Sequence, residues 1–448
     1  MEPFSPDARA ARRIAGLFIV AGSLAAGVRV HAATPWPAES NAAATKLTLI
    51  DAGLGVANWS GASWNPATRT LWLACNSGYF WALVEDGTGS FRVARNAADT
   101  PAKWSPGGDL ESICQADLDA PVVYALDENG WIREYDISQF GVVVEIRNWD
   151  IRAQCPEVGG TTGPEGLTFV PDAWLQRERF SAASGDLCVS TNGMGGLMFV
   201  GHQDGGYVHV FDLALTSGQF GYVGRYKTSQ PETAGLEFDR ETGKLYLWHN
   251  TGSNYLEVAE LGSYVDGAER RFRTLIEYTG PRSGNLEGFA MLPTAETNNW
   301  CFVTDDNNDG GEAVVWYRQF APSEDTDADA LPDAWELLHF GSTIQTAGTV
   351  DSDLDGVNNA AEYVAGTDPT NHLSTFTLTT TEERSPWVVS WRSESNRLYA
   401  IEHATALAAG FTQLVESALE ATPPVNSTTV SVSGVASGGF YRVSATAP

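Results

Sequence analysis

The sequence predicts an all-β protein: a five- or six-bladed β-propeller, a short EF-hand-like hinge and a small C-terminal antiparallel β domain. Three observations predict it. Between Leu47 and Phe320 a degenerate unit of about fifty residues recurs, a length that suits one propeller blade. The units hold short apolar runs separated by polar turns, with almost no helical periodicity. Beyond Phe320 come two twelve-residue acidic stretches, and then a Thr, Ser and Val-rich tail in alternating runs.

The chain opens as an export signal. Arg9, Arg12 and Arg13 precede the apolar run Ile14 to Val28, and Val30-His31-Ala32 has the form of a small-residue cleavage site. Residues 1–32 are therefore read as a signal peptide, with the mature chain starting near Ala33. Three glycines and a serine interrupt the run, which is short for a membrane anchor. No other stretch is long and apolar enough, so a soluble, secreted protein is expected, extracellular or periplasmic. A net charge of −29 on a chain that is 43% hydrophobic describes a folded acidic protein. That balance excludes nucleic acid and anionic membranes as natural partners and suits cations. Five cysteines are present. Cys75, Cys114 and Cys301 lie in apolar runs and read as buried thiols, while Cys155 and Cys188 are loop-like and open to pairing or not.

The repeat fills residues 47–320. Its units open on Gly61-Ala62-Ser63-Trp64, Leu110-Glu111-Ser112-Ile113, Pro164-Glu165-Gly166-Leu167, Thr233-Ala234-Gly235-Leu236 and Leu286-Glu287-Gly288-Phe289. A second apolar strand follows each opening, for instance Val122-Val123-Tyr124 or Leu245-Tyr246-Leu247-Trp248. Polar turns such as Asn76-Ser77-Gly78 and Asp127-Glu128-Asn129-Gly130 lead to third strands, and outer strands are expected near Phe91, Val142, Phe220 and Phe272. Leu47 to Ile50 is expected to supply the outer strand of the last unit and so close the ring without an edge. Six blades follow instead if the Cys155 to Cys188 region hides another unit.

The Glu-Gly-apolar opening, paired with Asn/Asp-Gly turns and clearest in Pro164-Glu165-Gly166-Leu167-Thr168-Phe169, resembles the bacterial propellers grouped as SdiA-regulated and phytase-like (esterase-like activity of phytase) proteins. The resemblance implies that Glu111, Glu165 and Glu287 ring the mouth of the channel, hold calcium and help neutralise a bound phosphoester. Carboxylates converging on one axis repel one another, and a divalent cation relieves that. The alternative is that these Glu residues bond backbone amides and fasten the blades. The openings at Ala62 and Ala234 lack the acid, and Lys103, Arg133, Arg225, Lys227 and Arg282 are too scattered to form an obvious phosphate site. His202 and His249 end the second strands of consecutive units and are candidates for an acid/base or metal pair, or else turn residues satisfied by backbone. The acidic turn Asp305 to Glu312 is a further cation candidate. Common hydrolase and nucleotide motifs are absent.

The region 323–370 carries two calcium-loop registers. Asp351, Asp353, Asp355, the Val357 carbonyl, Asn359 and Glu362 occupy positions 1, 3, 5, 7, 9 and 12, with Gly356 at the turn. Asp325, Asp327, Asp329, the Leu331 carbonyl, Asp333 and Glu336 repeat the pattern, but Ala330 stands where Gly is expected and would carry left-handed strain. Each loop runs into a short helical pattern that stops at Gly341 or Gly366. The pair resembles the calcium-binding repeats of thrombospondin type 3 or dockerin kind that join domains of secreted bacterial proteins. Residues 373–448 read as a small β-sandwich-like module, with strands near Thr375, Trp387, Leu398, Thr428 and Phe440, and with Trp387 and Trp391 in its core. Such a module suits contact with a cell surface or a partner protein.

Two functions follow as expectations. The first is an extracellular binding or scaffold propeller that holds calcium and an unidentified ligand. The second is a calcium-dependent phosphoester or ester hydrolase acting on a small-molecule ester, with Glu111, Glu165 and Glu287 holding the metal and His202 or His249 as further catalytic candidates.

Overall fold

The computed structural model describes residues 33–448 except 52–53, 55–57, 88–89, 159–161, 294–298, 324, 326, 344–345, 381–386, 395–396, 405, 407, 409, 431–439 and 447–448. The expected signal peptide, residues 1–32, lies outside the described residues. The chain is mostly β, with antiparallel pairing dominant.

Alternating apolar runs joined by left-handed Gly turns, such as Gly78 at φ 81° and Gly130 at φ 81°, fold back on themselves as antiparallel meanders. Meander I comprises Trp59–Asn65, Thr70–Cys75, Tyr79–Glu85 and Phe91–Val93. Meander II comprises Leu110–Cys114, Val122–Asp127, Trp131–Asp136 and Val144–Asp150. Meander III comprises Pro164–Pro171, Gly196–His202, Tyr207–Leu213 and Phe220–Lys227, and meander IV comprises Gly235–Phe238, Leu245–His249, Tyr255–Asp266 and Glu269–Thr279. A single parallel pair, Lys227 with Arg271, joins III and IV into one eight-stranded sheet. Meander V comprises Leu286–Leu292, Asn299–Asp305 and Val314–Phe320, and Thr45–Lys46 pairs with Trp316 and Val315 as its fourth strand.

The first strands pack in a cycle: I on II, II on III, III on IV, IV on V and V on I. Five separate apolar clusters fill the wedges between successive meanders. Trp316, for example, is fully buried between V and I, a burial that contributes about 2–3 kcal/mol. The Gly of the repeated opening has a steric cause. A Cβ on Gly61 would lie 2.6 Å from the Glu111 carbonyl oxygen, and one on Gly235 would lie 2.6 Å from that of Glu287. This cyclic packing of meanders is consistent with a propeller-like fold.

Three expectations change. Leu47–Ile50 is a short helix, and the closing strand is Thr45–Lys46 just before it. Leu47 is driven into the wedge between V and I, which a strand along the outer edge would leave exposed. The opening of unit I is shifted: the register slips between Trp59 and Gly61, as it does between Leu110 and Ser112, Pro164 and Leu167, and Leu286 and Phe289. Ser60, not Ala62, is thus the equivalent of Glu111, Glu165 and Glu287. Between Cys155 and Cys188 the described residues form the rest of the first strand of III, a helix at Asp172–Arg177 and isolated bridges, so no extra four-stranded unit is seen there. The five cysteines remain thiols, with Cys155 and Cys188 packed in different clusters.

The helices Asp333–Phe340 and Asn359–Ala365 end at the left-handed Gly341 (φ 75°) and Gly366 (φ 74°). The C-terminal region pairs Thr379–Thr380, Trp387–Arg392 and Val425–Val430 in one sheet, and Gln413–Glu420, Leu398–Ala404 and Phe440–Thr446 in another. Trp391 and Tyr399 are buried in its core, whereas the side chain of Trp387 lies outside the described residues. Gln413–Glu420 escaped the sequence reading because its alternation is weak and much of it faces solvent. This region is tied to meander IV by Arg273, whose guanidinium lies 2.8 Å from Glu394. Among the described residues no helix is long and apolar enough to cross a membrane.

Candidate functional site

Three positions recur at the same end of the meanders: the residue before the first strand, the bulged second residue of that strand, and the residue after the second strand; in IV, whose first strand begins only at Gly235 and shows no bulge, Glu232, Ala234 and Asn250 take the corresponding places. They are Asn58, Ser60 and Asn76 in I; Asp109, Glu111 and Glu128 in II; Gly163, Glu165 and Gln203 in III; Glu232, Ala234 and Asn250 in IV; and Asn285, Glu287 and Asp306 in V. In I, II, III and V one backbone bond holds the first to the third: Asn76 N–H to the Asn58 oxygen at 3.0 Å, Glu128 to Asp109 at 2.9 Å, Gln203 to Gly163 at 3.1 Å and Asp306 to Asn285 at 3.2 Å. The bulge turns the second residue out of the ladder and toward the ring axis.

The structure brings Glu111, Glu165 and Glu287 into one electrostatic cluster, each nearly buried, at 5%, 4% and 6% exposure. Asp109, Glu111 and Glu128 present oxygens within 4.8 Å of one another. The Asn285 amide donates to Glu287 Oε1 at 2.7 Å and to Asp306 Oδ2 at 2.8 Å, while the Ser60 hydroxyl donates to Asp306 Oδ1 at 3.4 Å. Among the described residues no donor reaches Glu165 Oε2 or Glu287 Oε2, although both atoms are buried.

Burial, reinforced by neighbouring carboxylates, pushes Glu111 up to about 9 and holds Glu165 and Glu287 well above the usual carboxylate range. Burial and Asp109 push Glu128 up to about 7, and burial raises Asp306. The strongest charges acting on these raised groups are other carboxylates.

The five basic residues weighed for a phosphate site are engaged within their own surroundings. Lys103 Nζ sits 4.0 Å from the Tyr79 ring centre, Arg133 lies 3.1 Å from Glu145, and Arg225 lies 3.6 Å from Glu269. Lys227 bonds the carbonyls of Gly205 and Gln230, and Arg282 bonds Asp305 at 2.5 Å and Glu312 at 3.1 Å. The chain matches no protein-family model and no curated protein.

His202 and His249 occupy equivalent places beside this cluster, and both are spent on local partners. His202 Nε2 bonds the Pro156 oxygen at 3.0 Å, and its Nδ1 accepts the Asp204 N–H at 3.0 Å. His249 is fully buried, with Nδ1 2.5 Å from the Glu232 oxygen and Nε2 3.1 Å from Glu257 Oε2. The Asp305 to Glu312 turn divides: Asp306 joins the cluster, while Asp305 and Glu312 hold Arg282.

Asp109, Glu128, Ser60, Asn285 and Asp306 were not assigned to the mouth from sequence. The signal was there in the two residues flanking the opening and the second strand. It becomes readable only when the five units are aligned on the bulge.

The two acidic loops share one backbone path. Positions 4 and 6 are left-handed in both, at Ala328 (φ 60°) and Ala330 (φ 74°), and at Leu354 (φ 65°) and Gly356 (φ 99°). Asp325 Oδ2 accepts the Ala330 N–H at 2.9 Å, as Asp351 Oδ2 accepts that of Gly356 at 2.9 Å. Asp329 Oδ1 accepts the Leu331 N–H, and Asp355 Oδ1 that of Val357. Asp333, Glu336, Asn359 and Glu362 are fully buried. Both oxygens of Glu336, Glu362 Oε2 and Asn359 Oδ1 have no hydrogen-bond partner among the described residues. Burial and the loop aspartates push Glu336 up to about 8; burial, with Asp353, Asp355 and Asp351, pushes Glu362 up to about 7. Asp327 and Asp353 stand with Asp325 and Asp329, and with Asp351 and Asp355, in two oxygen clusters.

Proposed function

We propose that this chain is an exported five-bladed β-propeller that acts as an extracellular binding module. Its acidic mouth holds calcium, and two calcium loops staple the propeller to the C-terminal β module. The observation that carries the reading is the pair of buried mouth oxygens without donors among the described residues, Glu165 Oε2 and Glu287 Oε2, on which the strongest charges acting are other carboxylates. Buried carboxylates are retained when they are paired or coordinate a metal. Oxygen-only donors of this kind suit a hard cation such as calcium. Asp109, Glu111 and Glu128 would hold one ion, and Glu165, Glu287 and Asp306 line the rest of the mouth.

Binding is favoured over phosphoester hydrolysis because Lys103, Arg133, Arg225, Lys227 and Arg282 are each engaged by partners of their own. A phosphoester would meet excess negative charge with no free cation to neutralise it.

The test uses the chain from Ala33 carrying Glu336→Gln and Glu362→Gln, so that the loops are silenced. Calcium titration by calorimetry should still show binding, and adding Glu111→Gln, Glu165→Gln and Glu287→Gln should remove it. Calcium-dependent phosphoester turnover that disappears with the same three changes would replace this reading with the hydrolase.

A further inference from the structure

A second ring surrounds the acidic one. The strand register places an aromatic residue at the first position of the third strand in four meanders: Tyr79 pairs with Cys75, Trp131 with Asp127, Tyr207 with His202, and Tyr255 with His249. Those partners end the second strands, at the end of the ring that carries the carboxylates. The aromatic residues therefore stand two inter-strand steps, about 10 Å, outside the first strands. All four are half-buried, and the fifth equivalent, Ala313, is small and buried. In three of them a donor group lies over the ring: Lys103 at 4.0 Å from Tyr79, Arg152 at 5.0 Å from Trp131 and Arg225 at 4.3 Å from Tyr207.

Charge decides what such a rim receives. Seven carboxylates, Asp109, Glu111, Glu128, Glu165, Glu232, Glu287 and Asp306, belong to the cluster, so one or two divalent ions leave an excess of negative charge. Phosphate, sulfate and uronate groups are repelled. A neutral polyol is not, because vicinal hydroxyls replace water on a bound calcium ion without adding charge. Its apolar C–H faces suit aromatic rings, and its neutral hydroxyl oxygens need no uncompensated cation, only an N–H left over on groups already paired, as Arg152 is with Asp150 and Arg225 with Glu269.

We propose that the mouth binds a neutral oligosaccharide, with vicinal hydroxyls on the mouth cation and sugar faces against Tyr79, Trp131, Tyr207 or Tyr255. This rests on the cation-holding reading of Glu165 and Glu287, whose donorless buried oxygens point to an occupant beyond the carboxylates themselves.

The test is calorimetric titration of the chain from Ala33 with cellohexaose, maltohexaose and mannohexaose, in calcium and in chelator. Inositol hexakisphosphate and polygalacturonate serve as anionic counterprobes. At least one neutral oligosaccharide is expected to bind only in calcium. Trp131→Ala and Tyr79→Ala should each weaken it about tenfold, with Trp131→Phe retaining most of the affinity. Calcium stoichiometry, read in the same samples, should not change in these ring variants, which also shows that they are folded. Binding of the anionic probes alone, or of no neutral oligosaccharide while the mouth still takes up calcium, overturns the inference and leaves the calcium reading standing. Loss of the mouth calcium itself overturns both.

Discussion

The mouth and the two acidic loops are both oxygen-rich sites with buried carboxylates, yet they are assembled in opposite ways. Each loop draws its donors from twelve consecutive residues, and the first Asp closes its own turn through backbone bonds such as Asp351 to Gly356. The mouth draws its donors from residues as far apart as Ser60 and Asp306, which meet only because the first strands pack in a cycle. A local site is preorganised by its own turn chemistry, whereas the mouth exists only when the ring is closed.

The largest expected effect separates the two by breaking the ring. Gly235→Val places a Cβ where the Glu287 carbonyl oxygen lies 2.6 Å away, with main-chain atoms on both sides and no flexible side-chain end to yield. Destabilisation of about 3 kcal/mol is expected, at the upper end for overpacking, together with loss of mouth calcium and retention of loop calcium. Denaturant unfolding and calcium stoichiometry check it. Mouth calcium that survives would show that the cluster does not depend on the cycle.

Next in size is removal of single carboxylates. Glu165→Gln at the mouth and Glu362→Gln in the second loop should each weaken calcium at their own site at least about tenfold, or about 1.4 kcal/mol. Since the sites share no residues, the losses should add to within about 0.5 kcal/mol in the double variant. A coupling much larger than that would mean that the loops and the mouth communicate through the contact between Glu394 and Arg273.

The pH dependence of the metal-free protein sharpens the comparison. Glu111, Glu128, Glu336 and Glu362 are all raised in the folded state, to about 9, 7, 8 and 7. The folded chain therefore holds protons that the unfolded chain has released above the ordinary value near 4.5. Their contribution is greatest at low pH and is lost as pH rises through the folded values, so thermal unfolding in chelator should occur at lower temperature at pH 9 than at pH 6. With Glu165→Gln and Glu287→Gln the decline should shrink, because two carboxyls held well above the usual range no longer release protons as pH rises. A metal-free protein that becomes more stable across this range would contradict the burial of these groups. Excess calcium should offset the decline, because it binds the ionised forms.

The smallest effect lies within the loops. Ala330 holds φ 74°, a conformation that costs an L-residue about 1 kcal/mol and that Gly356 adopts freely in the second loop. Ala330→Gly should tighten calcium in the first loop by about fivefold. Equal affinities before the change would show that the loop's other donors already compensate.

Much of the fold was legible because its signals are periodic. The second and third strands of the units, the Gly turns and the helix stops at Gly341 and Gly366 follow from alternation and from residues able to adopt left-handed backbone. The exceptions share a cause. Leu47–Ile50 is apolar enough to be a strand, but the wedge between meanders V and I takes Leu47 as a helical plug. Ser60 was hidden because unit I opens two residues earlier than its sequence appearance suggests, as the bulge at Ser60 shows. Asp306 was read with its chain neighbours, although its side chain belongs with Glu287 and Asn285.

The sequence alone determined the local chemistry: the two twelve-residue oxygen registers, the strand alternation and the carboxylates at three unit openings. These depend on spacings of a few residues, where the chain has little freedom to place side chains otherwise. Only the tertiary structure decided that Asp109, Glu128 and Asp306 join Glu111, Glu165 and Glu287, that the five basic residues are engaged by partners of their own, and that four aromatic residues form an outer ring. Those groupings depend on five strands packing in one cycle, and a bulge of one residue in four of them sets which side chain leaves the ladder.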